Sequence, residues 1–171
     1  MTQRFLILPL ALALLASCSK PAEQPAGSGS AAPAAPSTVA AATGQSIDFA
    51  QTAYPGFIKE VHGMSGQEPK GRWTDGASAV FAFKQPMQGK VKLHIVAQPY
   101  GPNAGKDIVL VLGGVQKSVQ FKPGIDDLQT QDAEFDLAAP ADTLEIRIPE
   151  PTVPPGGNRK LGLFISSIQF N

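Results

Sequence analysis

The chain has 171 residues, with 14 basic side chains balanced by 14 acidic ones and a single cysteine. A formal charge of zero creates no long-range field to draw nucleic acid or an anionic surface by mass electrostatics, and one cysteine rules out an intrachain disulfide framework. The length suits one domain with a single core rather than several.

In chain order, the first feature is Arg4 followed by an apolar run from Phe5 to Ala16 and then Cys18. A basic n-region, an apolar stretch too short to span a bilayer, and small residues leading to a thiol make a bacterial lipoprotein signal. The mature protein is expected to begin at Cys18, with residues 1–17 removed and the thiol carrying a thioether-linked diacylglycerol. Two or three acyl chains anchor stably where one does not. In lipoproteins of this kind a serine after the cysteine, here Ser19, favours transfer to the outer membrane, so the expected location is lipid-anchored at the outer membrane and facing the periplasm.

Residues 18–45 read as a spacer, almost wholly Ala, Pro, Ser, Gly and Thr, with Val39 as the one larger aliphatic residue after the cysteine. Such a segment cannot bury enough apolar surface to offset the entropy of ordering, and Pro21, Pro25, Pro33 and Pro36 oppose a helix. It is expected to be disordered, with an r.m.s. span of roughly 30 Å.

Residues 46–171 form the expected folded domain. Strands are predicted at Phe57–Val61 and Ala79–Phe83. Val91, Leu93, Ile95 and Ala97 then alternate with Lys92, His94, Val96 and Gln98; Ala133, Phe135 and Leu137 alternate with Glu134 and Asp136; and Leu144, Ile146 and Ile148 alternate with Glu145 and Arg147. Period-two apolarity marks half-buried strands. Ile108–Leu112 and Val115–Phe121 flank Gly113-Gly114, which suits a two-residue hairpin. In Leu161–Phe170 the apolar phase shifts at Ser166-Ser167, which predicts a bulge. Short strands, Gly/Pro turns and no helical period give an all-β antiparallel β-sandwich of jelly-roll type, with an up-and-down barrel as the alternative.

Three loop-like clusters stand out. The first, Gly63 to Gly76, contains the only tryptophan. Trp73 offers a flat apolar face with one donor, and Glu68 and Arg72 are suited to a bidentate pair. The second is Gln98 to Lys106, with Tyr100 and Asn103. The third, Pro154 to Gly162, leads into the last strand. Other constellations carry less. His62 and His94 fall on different predicted strands without companion ligands, so no metal site is expected. Asp126, Asp127, Asp132 and Asp136 match no calcium loop and read as a solvated edge. Ser65 lacks the second glycine of a nucleophile elbow, because Gln67 stands there. Glu68 and Asp75 fall on one loop, a poor source of two opposed glycosidase carboxylates. No catalytic residues and no cofactor are expected.

The pattern Gly63, Ser65, Glu68, Gly71-Arg72-Trp73-Thr74, Gly76, then Tyr100-Gly101-Pro102-Asn103, then Arg159, Leu161-Gly162-Leu163 resembles an accessory C-terminal β-sandwich module. That module is found on bacterial phosphoglycerol transferases that decorate periplasmic glucans and on related membrane glycosyltransferases. Here Lys70 replaces an aromatic residue and Asn158 replaces an acidic one. The transferases' metal-dependent catalytic domain has no counterpart in these residues, so the resemblance implies no transfer activity. It implies instead a jelly-roll β-sandwich of carbohydrate-binding-module-like type with a non-catalytic envelope-glycan-binding role, in which Trp73 and Tyr100 stack on sugar rings and Glu68, Arg72, Asp75 and Asn103 bond their hydroxyls. The competing expectation is a structural module that docks on an envelope enzyme without binding sugar.

Overall fold

In a computed structural model of the chain, residues 44–124 and 127–171 are described. The signal segment, Cys18, most of the spacer and Asp126 lie outside them.

Eight strands carry the described fold: β1 (Gln45–Asp48), β2 (Ile58–His62), β3 (Arg72–Asp75), β4 (Ser78–Pro99), β5 (Ile108–Leu112), β6 (Val115–Val119), β7 (Gln129–Arg147) and β8 (Leu161–Phe170). One 3-10 turn, Gly101–Asn103, follows β4. Every strand pairing is antiparallel.

The two longest strands make the sandwich. The first part of β4 pairs with β2 and with the last part of β7, which in turn pairs with β5 and through it with β6. The second part of β4 pairs with the first part of β7 on one side and with β8 on the other. The ladder between β4 and β7 shifts register around Met87, between Ala82 and Gly89. Pro86 and Pro140 stand in this corner. A proline gives no ladder donor and a bulge bends a strand, so both chains turn from one sheet into the other here. Two layers result, and the strand path is open rather than closed into a barrel.

In the second layer, β8 carries two short strands on its free side, laid end to end. β1 pairs with Ser167–Phe170 and β3 with the Leu161–Ile165 stretch. Between the layers lie Phe49, Phe81, Phe121, Phe135, Phe170, Leu93, Leu110, Leu144 and their neighbours, all essentially inaccessible. Each such large side chain contributes about 1.5–3 kcal/mol by leaving water.

The alternation in the sequence gives these strands their inward faces, and Gly113 and Gly114 take φ of 58° and 80° as the hairpin requires. The register shift between Val96 and Ala97 leaves Ser166 as the extra residue of β8, so the bulge lies where the apolar phase changes. Two expectations are corrected. The segments read as separate strands within 79–97 and within 133–148 are each one bent strand, because pairing runs through the corner. Arg72–Asp75, read as part of a loop, is a strand: its apolar content is one tryptophan, too little for a periodicity signal. The first ladder pair of β1 joins Gln45 to Phe170.

Candidate functional site

The segment from Gly63 to Gly76 folds as a tight hairpin standing on the end of the second layer. Met64 bridges Thr74 and Glu68 bridges Gly71, with reciprocal backbone bonds between Glu68 and Gly71 closing the turn over Pro69 and Lys70. Ser65 Oγ accepts the amide of Trp73 at 3.0 Å and donates to the Gly66 carbonyl. Thr74, fully buried, accepts the amide of Leu163 at 3.0 Å. Glycine is needed where the hairpin meets the sheet. A Cβ on Gly63 would fall 2.0 Å from the Ser78 carbonyl oxygen, and one on Gly71 2.3 Å from that of Ile165. The motif residues thus mostly pin a hairpin to β8 and β4.

Arg72 belongs to this pinning. Its side chain is buried, donates twice through one Nη to the carbonyls of Gln51 and Thr52 at 2.9 Å, and lies 4.7 Å over the Tyr54 ring. Burial pushes the Tyr54 phenol above its usual range, and the guanidinium beside it acts in the opposite sense. The expected Glu68–Arg72 pair is not formed, because the two side chains leave on opposite faces of the hairpin strand and Arg72 has backbone oxygens nearer. Asn103 is likewise inaccessible. Its amide donates to the carbonyls of Tyr100 and Glu150 and accepts the Glu150 amide, so both its nitrogen and its oxygen are engaged in tying two loops together, beside a Lys106–Glu150 ion pair. Neither residue is placed to hold a sugar hydroxyl.

Trp73 is different. It faces away from the core, half-buried, with its ring 5.0 Å from that of Phe164 and 5.6 Å edge-on from that of Tyr100. Trp73 sits opposite Phe164, and Phe164 opposite Gln98. Leu128, just before β7, continues the row and is 39% exposed. A cavity of about 520 Å³ opens on this row, lined by Glu68, Pro69, Lys70, Trp73, Gln98, Leu128 and Phe164. Its apolar part is Trp73, Phe164, Leu128 and Pro69. Around it stand one carboxylate, one ammonium and one amide, none of them held by another side chain. Such a distribution, a flat apolar surface edged by a few convergent polar groups, suits a molecule with apolar faces and a polar rim.

Of the residues named from sequence, the structure therefore brings Trp73 and Glu68 to one cavity and places Tyr100 behind the tryptophan as a support. Asp75 is exposed on the same strand but does not line the cavity. Sequence reasoning missed Lys70, Gln98, Leu128 and Phe164. Phe164 was legible only as an apolar residue out of phase with its neighbours Leu163 and Ile165. His62 pairs with Glu60, and His94 with Asp132; among the described residues no three His, Cys, Asp or Glu side chains gather as a metal site.

The fold is that of the β-sandwich carbohydrate-binding modules. One family 29 module complexed with cellulohexaose superposes with a TM-score of 0.50 at 11% identity, covering 75% of this chain and 90% of that one. Another variant of the same module gives 0.50, covering 75% and 91%. At that identity the likeness concerns architecture alone.

The chain itself belongs to the family described as domain of unknown function DUF7024, whose model matches residues 35–171. It is 31% identical over 133 residues to phosphoglycerol transferase I of Escherichia coli O139:H28 and to the same enzyme of Shigella boydii serotype 18, covering 72% of this chain. The matching region is 17% of each relative's length, so the chain corresponds to a small part of those enzymes.

Proposed function

We propose that this protein is a non-catalytic glycan-binding module of the bacterial envelope, held by lipid on Cys18 at the outer membrane and facing the periplasm. The observation that carries the reading is the Trp73 cavity: an apolar surface made by Trp73, Phe164 and Leu128, with Glu68, Lys70 and Gln98 at its edge. A sugar ring placed on the indole would bury its C–H face there and offer its equatorial hydroxyls to the carboxylate, ammonium and amide. The cellulohexaose-bound relative in fold and the phosphoglycerol transferases that carry a related segment both favour a glycan as the ligand.

Catalysis is disfavoured by the same geometry. Among the described residues Glu68 is the one carboxylate lining the cavity, whereas hydrolysis of a glycosidic bond calls for two facing each other.

Trp73 is the only tryptophan in the chain, so its fluorescence reports the site directly. Titration of the full-length protein with periplasmic glucans and other envelope polysaccharides is expected to give a saturable change. The same titration followed by calorimetry with Trp73→Ala should show binding lost while circular dichroism is unchanged. Absence of binding to every glycan would transfer the weight to a protein-docking role.

A further inference from the structure

The outer face of the second layer continues well beyond the Trp73 cavity. Along β4, Gln98, Val96, His94 and Lys92 point outward, alternating with buried Ala97, Ile95 and Leu93. The registers align their neighbours into rows across the sheet. Val96 stands between Ser167 and Thr130, with Asp48 beyond Ser167; His94 stands between Gln169 and Asp132. Among the described residues nothing is packed on this face, since Thr130, Asp132, Glu134 and Gln169 are all exposed.

The rows differ in height. At one end rise Trp73, Leu128 and the hairpin tip. The middle row of Val96, Ser167 and Thr130 is made of short side chains, and the Ser167 and Thr130 hydroxyls have no partner among the described residues. At the other end the side chains are long again and joined: His94 Nδ1 lies 2.5 Å from Asp132 Oδ1, and Lys92 Nζ lies 3.1 Å from Asp132 Oδ2 and 3.9 Å from Glu134. Just past Lys92, a second cavity of about 570 Å³ opens at the end of the sandwich, lined by Lys90, Lys92, Glu134 and Asp136 of this face together with inward-facing Val91 and Phe135, Lys117 of β6 and Asn171, but by neither His94 nor Asp132. From Gln98 to Lys92 is six strand residues, roughly 20 Å.

We propose that the Trp73 cavity is one end of a trough running along β4 to the Lys92–His94–Asp132 cluster, and that it takes several consecutive residues of an extended oligosaccharide chain rather than a single terminal sugar. This rests on the glycan reading given above. The chain's apolar contact is made at Trp73, the low middle row lets it pass with hydroxyls over Ser167 and Thr130, and the far cluster offers paired donors and acceptors of the kind that read neighbouring hydroxyls. A carboxylate already fixed by an ammonium and an imidazole keeps its geometry when the ligand arrives, which lowers the entropy lost on binding.

The test is calorimetric titration of the full-length protein with linear neutral hexose oligosaccharides, from disaccharide to octasaccharide. The trough predicts affinity rising with length and then levelling. The gain should be on the order of tenfold for each charged contact added. Asp132→Ala should remove the gain for long chains and leave the disaccharide unchanged. Thr130→Lys, an exposed substitution that raises the low middle row, should do the same and covers the case in which Asp132→Ala disturbs folding. Trp73→Ala should abolish binding at every length. Binding independent of length, or a length gain that survives both Asp132→Ala and Thr130→Lys, would overturn the trough while sparing the Trp73 site. No binding at any length overturns both.

Discussion

Trp73 on β3 lies directly opposite Phe164 on β8, and the two rings approach to 5.0 Å between centroids at an interplanar angle of 60°. The contact places the only indole of the chain on the outer face of the sheet rather than in the core, with Phe164 as its floor. Phe164 is 7% exposed and yet does not belong to the central cluster of buried residues; the tryptophan is what covers it. Removing the indole in Trp73→Ala therefore exposes Phe164 and deletes the edge contact with Tyr100. Aromatic pairs contribute about 0.5–1.5 kcal/mol beyond their area, so the variant is expected to lose about 1–3 kcal/mol in urea unfolding and remain folded. A larger loss, or a collapse of cooperativity, would mean that the indole is a structural plug and not a binding surface.

The buried polar residues of the hairpin make the opposite prediction. Thr74→Val keeps shape but leaves the Leu163 amide buried without its acceptor, now 3.0 Å from Thr74 Oγ1. An orphaned buried donor costs about 1–3 kcal/mol, and the loss should appear as a lower midpoint of denaturation with an unchanged slope. Glycan affinity should be preserved where the protein is folded.

Asn103→Ala should be worse, because three bonds to Tyr100 and Glu150 are lost together and two loops come apart. About 2–4 kcal/mol is expected from groups left unpaired in a buried place. Amide hydrogen exchange at Glu150 provides the local readout: it should speed up in the variant, while exchange of the Trp73 amide, bonded to Ser65, should not change.

How much of this was written in the sequence depends on how many residues carry each signal. The alternation of Val91, Leu93, Ile95 and Ala97 states the inward face of β4 outright, and the same is true of Ala133, Phe135 and Leu137. The bulge at Ser166 was legible because the bulge shifts a long apolar phase. By contrast, β1 and β3 are four residues each and owe their existence to pairing with β8, a long-range fact with no local trace. The long strands β4 and β7 looked interrupted because the corner at Pro86 and Pro140 has the composition of a turn. At the site, residue type misled in a consistent way. Arg72 and Asn103 look like ligand contacts, but both are buried, and the bonds they make go to carbonyls and an amide brought close only by the fold, while Arg72 Nε has no partner among the described residues. Gln98 and Leu128, which do line the cavity, look like ordinary strand residues, and only the register between β3, β8, β4 and β7 assembles them.

A close approach at Gly162, two residues before Phe164 on β8, gives a sharper test of packing. Gly162 has no positive φ to require glycine, but a Cβ there would lie 2.2 Å from Ile148 Cγ2. Gly162→Ala must displace Ile148, itself 4% exposed, at a cost of about 1–3 kcal/mol from overpacking. In the double variant with Ile148→Ala the clash is gone, so the two changes should combine to less than their sum, with a coupling of about 1 kcal/mol or more. Strict additivity would show that the backbone shifts instead of the side chain.

The far cluster supplies a pH signature. The Lys92 ammonium, first, and His94 hold the Asp132 carboxyl below the usual carboxylate range. A depressed folded value means that the unfolded chain binds this proton more readily, so the contribution to stability is complete above the unfolded value, near about 3.9, and disappears as pH falls through the lower folded one. Asp132 is exposed, and solvent screens the pair, so the effect is small. Native and Asp132→Asn proteins should therefore show thermal midpoints whose difference shrinks as pH falls between about pH 4 and pH 2. Added salt should reduce the difference at neutral pH. A difference that is indifferent to both pH and salt would show that Lys92 and His94 do not hold the carboxylate in solution, and the far end of the trough would lose its fixed geometry.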